Sequence, residues 1–353
     1  MTATFIHVMN LVYHGTDGQV KLLDLQYEYK LKRNKTMPLD IANINQFPED
    51  ATPNPFAAHN SKPSSIMFPV GERKIGWQTR AGGYQKIDSH KAIIRIPDNT
   101  DMSTLNEDSV HVLGVVGSTY KLVHNKELFG RVEDTMCKVM PAYTLDGVQI
   151  KDRVSGYGRM CYREYIFPNI KCSLGSGAKS DIAFRTIVQN GYGGSALRIH
   201  SGAIDFFCTN GIISGEHQSS YNKHTSGLVV AGVDRIIERA LETFAANQVK
   251  WKRWTETPVK HSAAMELFKD LANSEKLREN LGTQYLREQD ERGPNLWSVY
   301  SALTYYASHS DGEFKLRATT EAQDSVASTM LQRELNVAKW IESDAWKKLE
   351  LTA

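Results

Sequence analysis

A run of alternating cations and tryptophans is the strongest candidate for chemistry in this sequence. It consists of Lys250, Trp251, Lys252, Arg253 and Trp254. Lysine and arginine neutralise phosphates, and an indole offers a flat face on which an unpaired base stacks. The run therefore predicts a nucleic-acid contact in which the three cations bind phosphates and Trp251 or Trp254 stacks on a base.

Four side chains upstream extend this candidate surface: Lys223, His224, Arg235 and Arg239. The two arginines are one helical turn apart, and Lys223-His224 lies in the segment that leads into their helix. A purely structural interpretation stays open. Cations near the carboxyl end of a helix stabilise its dipole, the arginines can pair with Glu238 and Glu242, and tryptophans can pack against a sheet.

The other motifs lack residues that their chemistry needs. Residues 173–180 have the outline of a phosphate-binding loop, but Ser173 and Ala178 stand where that loop requires glycine. No H-E-x-x-H or G-x-S-x-G motif occurs, and acidic residues such as Asp152 and Asp181 are scattered. Cys208 follows an apolar segment, which favours a core residue over a nucleophile. The sequence favours a protein without catalytic activity, metal or other cofactor, and leaves a dispersed metal-dependent site open.

Composition narrows the class of protein. The 353 residues include 42 lysines and arginines and 40 acids, a net charge of +2, so nucleic-acid binding would need a local basic patch. The four cysteines lack zinc-ligand spacing, which favours reduced thiols in a cytoplasm. No run of 18 apolar residues and no secretory signal occur, so the sequence predicts a cytoplasmic protein without membrane association.

The first part of the chain is dense in proline. Seven of the eleven prolines lie in the first hundred residues, which predicts an arm and loops over residues 1–90. Within it, residues 43–65 are interpreted as an arm that joins copies of the chain, with Phe47 and Phe56 as anchors. Deleting the arm is expected to lower the assembly state and leave the core folded.

Strands are predicted beyond residue 91, and helices follow them. The strand segments are residues 92–96, 110–116 with 120–123, 159–167, 181–189 and 196–208, with a hairpin turn at residues 190–194 and a short helix at 126–136. Apolar residues at helical spacing from Val229 to Phe244 predict a long helix that ends before Pro258. Further helices are predicted at residues 262–271, 274–287, 295–307 and 322–346.

This order predicts an α+β fold. Strands and helices are segregated along the chain, which favours a mostly antiparallel sheet over a doubly wound parallel one. The predicted division is an N-terminal arm and loops over residues 1–90, a β-rich core with the long helix over 91–257, and a helical region over 258–353.

Several segments, taken in order, resemble one known family. They are VLGVVGSTYKLVHNKE from Val112 to Glu127, Phe207-Cys208-Thr209-Asn210-Gly211, Lys223-His224-Thr225 and LWSVYSALT from Leu296 to Thr304. These segments are similar to the phage/plasmid-like protein family known as domain of unknown function 932. The resemblance covers roughly residues 91–309, without the N-terminal arm, and Ser301 stands where the family's last helix usually has an Asn-Ala pair.

The resemblance implies a genetic context more than a mechanism. Members of the family occur on phages and plasmids, often near replication and recombination functions. The order of strands and long helix is also similar, as a fold-level analogy, to phage single-strand annealing recombinases, which bind DNA in a basic groove and form rings. The resemblance therefore implies a homo-oligomeric protein that binds DNA, single-stranded in particular. A virion structural or assembly protein and a metal-dependent enzyme stay open as alternatives.

Overall fold

The computed structural model describes ten segments of the chain: residues 6–14, 20–28, 54–62, 64–97, 110–175, 181–194, 197–205, 211–213, 233–309 and 322–352. The chain divides into two compact units, Met1–Asn54 and Pro55–Ala353. In the first unit, β1 (Ile6–His14) pairs antiparallel with β2 (Val20–Glu28). Valine and tyrosine, which occur in both segments, favour strands, so residues 6–14 and 20–28 are strands where arm and loops were predicted.

The second unit opens its β structure with a three-stranded antiparallel sheet. Its strands are β3 (Val70–Gln78), β4 (Tyr84–Arg95) and β5 (His111–Gly117), in that order. Pro69 precedes β3 directly, a position where a missing amide donor costs the sheet nothing. The proline-rich range therefore contains strands, and the predicted boundary at residue 91 falls inside β4.

A five-stranded antiparallel sheet forms the centre of the second unit. It contains β6 (Gln149–Ser155), β7 (Met160–Ser173), β8 (Asp181–Gly191), β9 (Arg198–Asp205) and β10 (Gly211–Ile213), in the order β10-β9-β8-β7-β6. The strands predicted at residues 159–167 and 181–189 and the turn near Gly191 are confirmed, and β9 confirms residues 198–205 of the strand predicted at 196–208. Strands β6 and β10 were not predicted from the sequence. The strand predicted at residues 120–123 is wrong, because the Tyr120 amide donates to the Gly117 carbonyl at 3.0 Å and the chain turns there.

The helices lie mostly after the sheet. They are α1 (Ala57–Asn60), α2 (Asn125–Val139), α3 (Ala142–Leu145), α4 (Val233–Glu256), α5 (His261–Leu271), α6 (Glu275–Arg292), α7 (Leu296–His309), α8 (Ala322–Trp340) and α9 (Asp344–Thr352). The prediction of a long helix followed by three more helices is confirmed by α4, α5, α6 and α7. The final predicted helix is two helices, because the Ser343 hydroxyl accepts the Trp346 amide at 3.3 Å and caps a new start.

Helices cover both faces of the five-stranded sheet. Side chains alternate between the faces of a strand, so Phe184 on β8 meets Phe244 of α4, with ring centroids 5.6 Å apart. On the opposite face, Ile187 packs with Leu331 and Ala338 of α8. The α+β prediction is confirmed, with the long helix on one face of the antiparallel sheet.

The part of the expected oligomerisation arm that the structure describes packs into the core. Phe56 is fully buried, and its ring meets Tyr165 edge-on at 5.8 Å. His59 contacts Asp152 at 3.2 Å, and Asn60 donates to Glu133 at 2.6 Å. The expectation that this segment can be deleted with the core intact is therefore wrong from residue 54 onward, while Phe47 lies outside the described residues.

The burial of Phe56 leads to a stability prediction. Phe56→Leu is expected to lower the free energy of unfolding by about 1–2 kcal/mol, because it removes apolar volume from a close-packed site. Urea denaturation monitored by circular dichroism measures the change. Val115→Ala truncates an exposed side chain and is the control, with an expected change within about 0.5 kcal/mol. Equal, small effects of both substitutions would contradict the burial of Phe56.

Candidate nucleic-acid interface

The run of cations and tryptophans lies in the last two turns of α4. Trp251 is 2% exposed and Trp254 is fully buried. Both continue the stripe of buried residues Val233, Ile237, Ala240 and Phe244 at steps of three, four and seven residues. These are the spacings of one helix face, so both indoles point into the core.

The two tryptophans join an aromatic cluster that connects three helices. Trp251 lies 5.7 Å from Phe244 and 6.2 Å from Trp297 of α7, between ring centroids. Trp254 lies 5.1 Å from both Tyr300 and Trp346. Because neither indole has a face open to a ligand, the prediction that one of them stacks on a base is wrong, and core packing explains them.

The cations of the run are partly engaged in the same packing. Arg253 forms an ion pair with Glu350 of α9, and the Lys250 ammonium lies 4.8 Å from the centre of the Trp254 ring. Burial lowers the pKa of Lys250, and the charges of Glu350 and Glu342 oppose that shift. Lys252 is exposed. Along its whole length, α4 carries five cations against four acids, so its surface is close to neutral.

The remaining predicted residues fall into two groups. Arg235 and Arg239 lie on the exposed side of α4, four residues apart. Lys223, His224 and Cys208 lie outside the described residues. The structure therefore brings Arg235, Arg239 and the Lys250–Trp254 run onto one helix.

The β3–β4 hairpin displays two exposed aromatic side chains that the motifs of the sequence did not single out. Trp77 is 55% exposed and Tyr84 is 58% exposed, although large aromatic rings are usually buried. Trp77 pairs with Gln85, and Gln78 pairs with Tyr84. Because adjacent positions of a strand face opposite ways, the two rings lie on opposite faces of the hairpin.

The Tyr84 ring is held in place by the strand beside it. It lies over Gly76, where an added Cβ would come within 2.6 Å of Tyr84 Cζ. Only glycine allows the ring to lie this close to the neighbouring backbone. At the end of the hairpin, the Thr79 amide donates to the Gly83 carbonyl at 2.7 Å and closes the turn. The phenol ring is therefore an exposed plane with a fixed position.

Cations lie close to these rings in the sequence. Residues 73–86, which we call the hairpin tip, contain Arg73, Lys74, Arg80 and Lys86 and no acidic residue. Lys74, Arg80 and Lys86 are exposed. Lys86 pairs with Gly76 in the register and so shares a face with Tyr84. A formal charge of +4 within 14 residues makes the hairpin tip far more basic than α4.

The sequence contains a signal for this site. The segment GWQTRAGGYQK places an aromatic residue on each side of a Gly-Gly turn, with cations at short spacing. Because prolines are dense around this segment, the sequence was interpreted as arm and loops there, and the hairpin was not predicted. Recognising β3 and β4 first would have identified both rings as flanking one turn.

Buried ion pairs form two centres on opposite faces of the five-stranded sheet. On one face, fully buried Arg163 donates two hydrogen bonds of 2.8 Å to Asp152 and one of 2.9 Å to Glu133. On the other, Arg185 forms ion pairs with Glu164 and with Glu334 of α8. Each arginine is matched by carboxylates from other elements, so these centres connect the sheet to its helices.

The scattered acids do not converge on a metal site in the described segments. Among the residues that the structure describes, no group of three or more His, Cys, Asp and Glu side chains is placed to hold a metal ion. Asp181, one of the scattered acids, pairs with Lys171 at 2.7 Å. None of the described helices is long and apolar enough to span a membrane.

Comparison with known protein families gives a match over most of the chain. A family model described as a domain of unknown function, DUF932, matches residues 112–333, which is well over half of the chain. No curated protein and no solved structure matches the sequence. The hairpin tip precedes the matched range.

Proposed function

This chain belongs to the DUF932 family, whose function is unknown, and from that starting point we propose that it binds single-stranded DNA through the hairpin tip. The observation that carries the proposal is the exposure of Trp77 and Tyr84 on a segment with four cations and no acid. Aromatic faces stack on bases and cations neutralise phosphates, so the hairpin tip offers both kinds of contact that a nucleic-acid strand needs.

The exposed rings favour a single strand over a duplex. In a duplex the base faces are stacked on each other, and a side chain can stack on them only after a base is displaced. In a single strand each base has an open face, and stacking on an aromatic side chain contributes roughly 1–3 kcal/mol per base. Because Trp77 and Tyr84 lie on opposite faces of the hairpin, each face offers a ring on which a base of the DNA strand would stack.

Charge favours the hairpin tip over the end of α4. Exposed charges farther apart than about 8–10 Å are largely screened at physiological salt, so a phosphate responds to the local balance of charge. The hairpin tip contains four cations and no acidic residue, whereas α4 contains five cations and four acidic residues. The contact of Lys250, Lys252 and Arg253 with phosphates stays a prediction, and substitution of those residues provides a matched comparison.

The proposal includes the context implied by the phage and plasmid family. In this context the protein is non-catalytic and binds single strands in the cytoplasm of a host cell. Its role would be in recombination or replication, and the specific reaction would be strand annealing. Annealing requires two strands to be held at once, so this form of the proposal also includes self-association. Multi-angle light scattering with and without DNA measures that association separately from binding.

The test is fluorescence anisotropy with labelled single-stranded and double-stranded oligonucleotides over a salt series. Lys74→Ala, Arg80→Ala and Lys86→Ala together are expected to reduce the salt slope for single strands by about 2, using roughly 0.7 per neutralised phosphate. The melting temperature should stay close to that of the parent, because exposed charges contribute little to folding. The comparison variant carries Lys250→Ala, Lys252→Ala and Arg253→Ala, and a smaller change in slope is expected.

Four outcomes would contradict this assignment. A larger effect of the α4 variant would move the binding site to that helix. Equal affinity for single and double strands would remove the role of base stacking, and tighter binding of an RNA of the same sequence would assign the surface to RNA. A parent that binds no oligonucleotide at any salt concentration refutes the proposal and favours a structural or assembly role.

A further inference from the structure

Another exposed aromatic ring stands on an unusual turn between β6 and β7. Gly156, Tyr157 and Gly158 follow one another with φ angles of 60°, 54° and 105°. Tyr157 is the one residue other than glycine with positive φ in the described part of the chain. A bulky side chain in this conformation is strained, and such strain persists only where the surroundings fix it.

The surroundings of Tyr157 do fix this turn. The Arg95 guanidinium donates to the Tyr157 carbonyl at 3.0 Å and lies 4.1 Å from the centre of the Phe68 ring. A Cβ on Gly158 would come within 2.8 Å of the Phe68 ring atom Cε1, so glycine is required for the turn to approach the core. The backbone therefore holds the Tyr157 side chain outward at a defined place.

The Tyr157 ring is paired and still accessible. It stacks on His111 of β5 with ring centroids 5.3 Å apart and an angle of 14° between the planes. Tyr157 is nonetheless 58% exposed. Arg159, two residues further, is exposed as well, and its side chain lies over the Gly193 backbone, where a Cβ would be 2.5 Å from Arg159 Nε. An exposed aromatic surface and an exposed cation with a defined neighbour thus stand two residues apart in one turn of the chain.

We propose that the Tyr157–His111 pair and Arg159 form a nucleotide-binding site, in which a base stacks on Tyr157 and its phosphate pairs with Arg159. A base has the shape and polarisability that favour stacking on tyrosine, and a guanidinium binds a phosphate through two parallel hydrogen bonds. An aliphatic or purely anionic ligand would use only half of this surface.

The nucleotide has two sources that share this chemistry: a free mononucleotide or one nucleotide of a bound strand. The strand-bound form rests on the proposed function, and the free-nucleotide form does not. Tyr157 and Arg159 lie inside the residues matched by the family model, whereas the hairpin tip lies outside them. The site and the hairpin tip therefore lie in different parts of the sequence and use different aromatic residues.

Tyr157→Gly and Tyr157→Phe test the site in the full-length protein. Saturation-transfer NMR with dAMP reports the free nucleotide, and anisotropy with a labelled (dA)20 strand reports the bound strand. If the ligand is a free nucleotide, Tyr157→Gly is expected to abolish the dAMP signal. If it is a nucleotide of a bound strand, Tyr157→Gly is expected to weaken strand binding roughly tenfold, the effect of losing one stacked base. Phenylalanine keeps the ring and should bind as the parent does. Val249→Ala, an exposed position on α4, is the control.

Folding does not confuse the result, because glycine adopts a positive φ without strain. The melting temperature of Tyr157→Gly is expected to be equal to or above that of the parent. Unchanged dAMP and (dA)20 binding in the glycine variant would overturn the site, as would an equal loss in both variants, which would show that the ring face is not the binding element. A parent that binds dAMP and no strand refutes the proposed function alone.

Discussion

Replacing Trp77 and Tyr84 together by alanine is expected to weaken binding of a (dT)20 strand by about 30-fold or more. Each ring lost removes a stacking contact of roughly 1–3 kcal/mol, and every 1.4 kcal/mol is a factor of ten in affinity. The rings are more than half exposed, so the free energy of unfolding should change little. Anisotropy at a fixed salt concentration, with urea denaturation of the same samples, measures both quantities.

The conservative double substitution Trp77→Phe and Tyr84→Phe is the matched control. It keeps an aromatic face at both positions, so we expect an affinity within a few fold of the parent. A loss in the alanine variant that phenylalanine does not restore would contradict stacking and point to the indole NH or the phenol hydroxyl instead. Unchanged affinity in both variants would remove the hairpin tip from the binding site.

The second large effect is expected at Arg163. Arg163→Ala leaves Asp152 and Glu133 buried without their cation, and uncompensated buried charges of this kind cost about 3–5 kcal/mol. The same substitution releases Asn60, whose side-chain oxygen accepts from Arg163 at 2.8 Å, and so weakens the attachment of α1. Urea denaturation measures the loss, and a variant too unstable to fold at 37 °C agrees with the prediction.

The pH dependence of this loss has a defined sign. Burial alone would raise the pKa of Asp152, but hydrogen bonds from Arg163 and Ser64 and the charge of Arg163 outweigh it and lower that pKa. A carboxyl with a lowered folded pKa stabilises the protein above its unfolded value of about 3.9, and the contribution disappears as pH falls through the folded value. The parent should therefore lose stability below about pH 4.

The Arg163→Ala variant should respond to pH in the opposite direction, because its stability is expected to rise as pH falls from 7 towards 4. Without the guanidinium, burial still acts to raise the pKa of Asp152, and protonation relieves the cost of that buried carboxylate. The difference in stability between parent and variant is therefore expected to narrow as pH falls from 7 to 4. Asp152→Asn and Glu133→Gln, added to Arg163→Ala, should recover part of the loss at pH 7. A gap that is constant with pH, with no recovery, would contradict this role of the buried ion pairs.

The sequence predicted the fold better than the site, for reasons visible in α4. Apolar periodicity reports which residues face a core, and it identified this helix correctly from Val233 to Phe244. Trp251 and Trp254 continue the same stripe, yet their composition suggested a base-stacking surface. Periodicity followed to the end of the helix would have assigned both indoles to the core, because position on a helix decides burial before residue type does.

Other features depend on contacts that sequence does not display. Arg163, Asp152 and Glu133 come from β7, β6 and α2, and only their packing brings the three together. The turn at Tyr157 is recognisable as Gly-Tyr-Gly, but its stacking on His111 depends on β5, more than 40 residues earlier. Proline density, in contrast, was misleading. The number of prolines in a segment does not distinguish prolines that flank strands from prolines in an extended arm.

The central claim, that the hairpin tip contacts a single strand, is tested most directly by ultraviolet cross-linking. The parent is irradiated with (dT)20, digested with trypsin, and the cross-linked peptides are identified by mass spectrometry. We expect the nucleotide to be attached to peptides containing Trp77 or Tyr84, and cross-linking to fall as salt is raised. Cross-links confined to the end of α4, or none at a concentration where anisotropy shows binding, would contradict the claim.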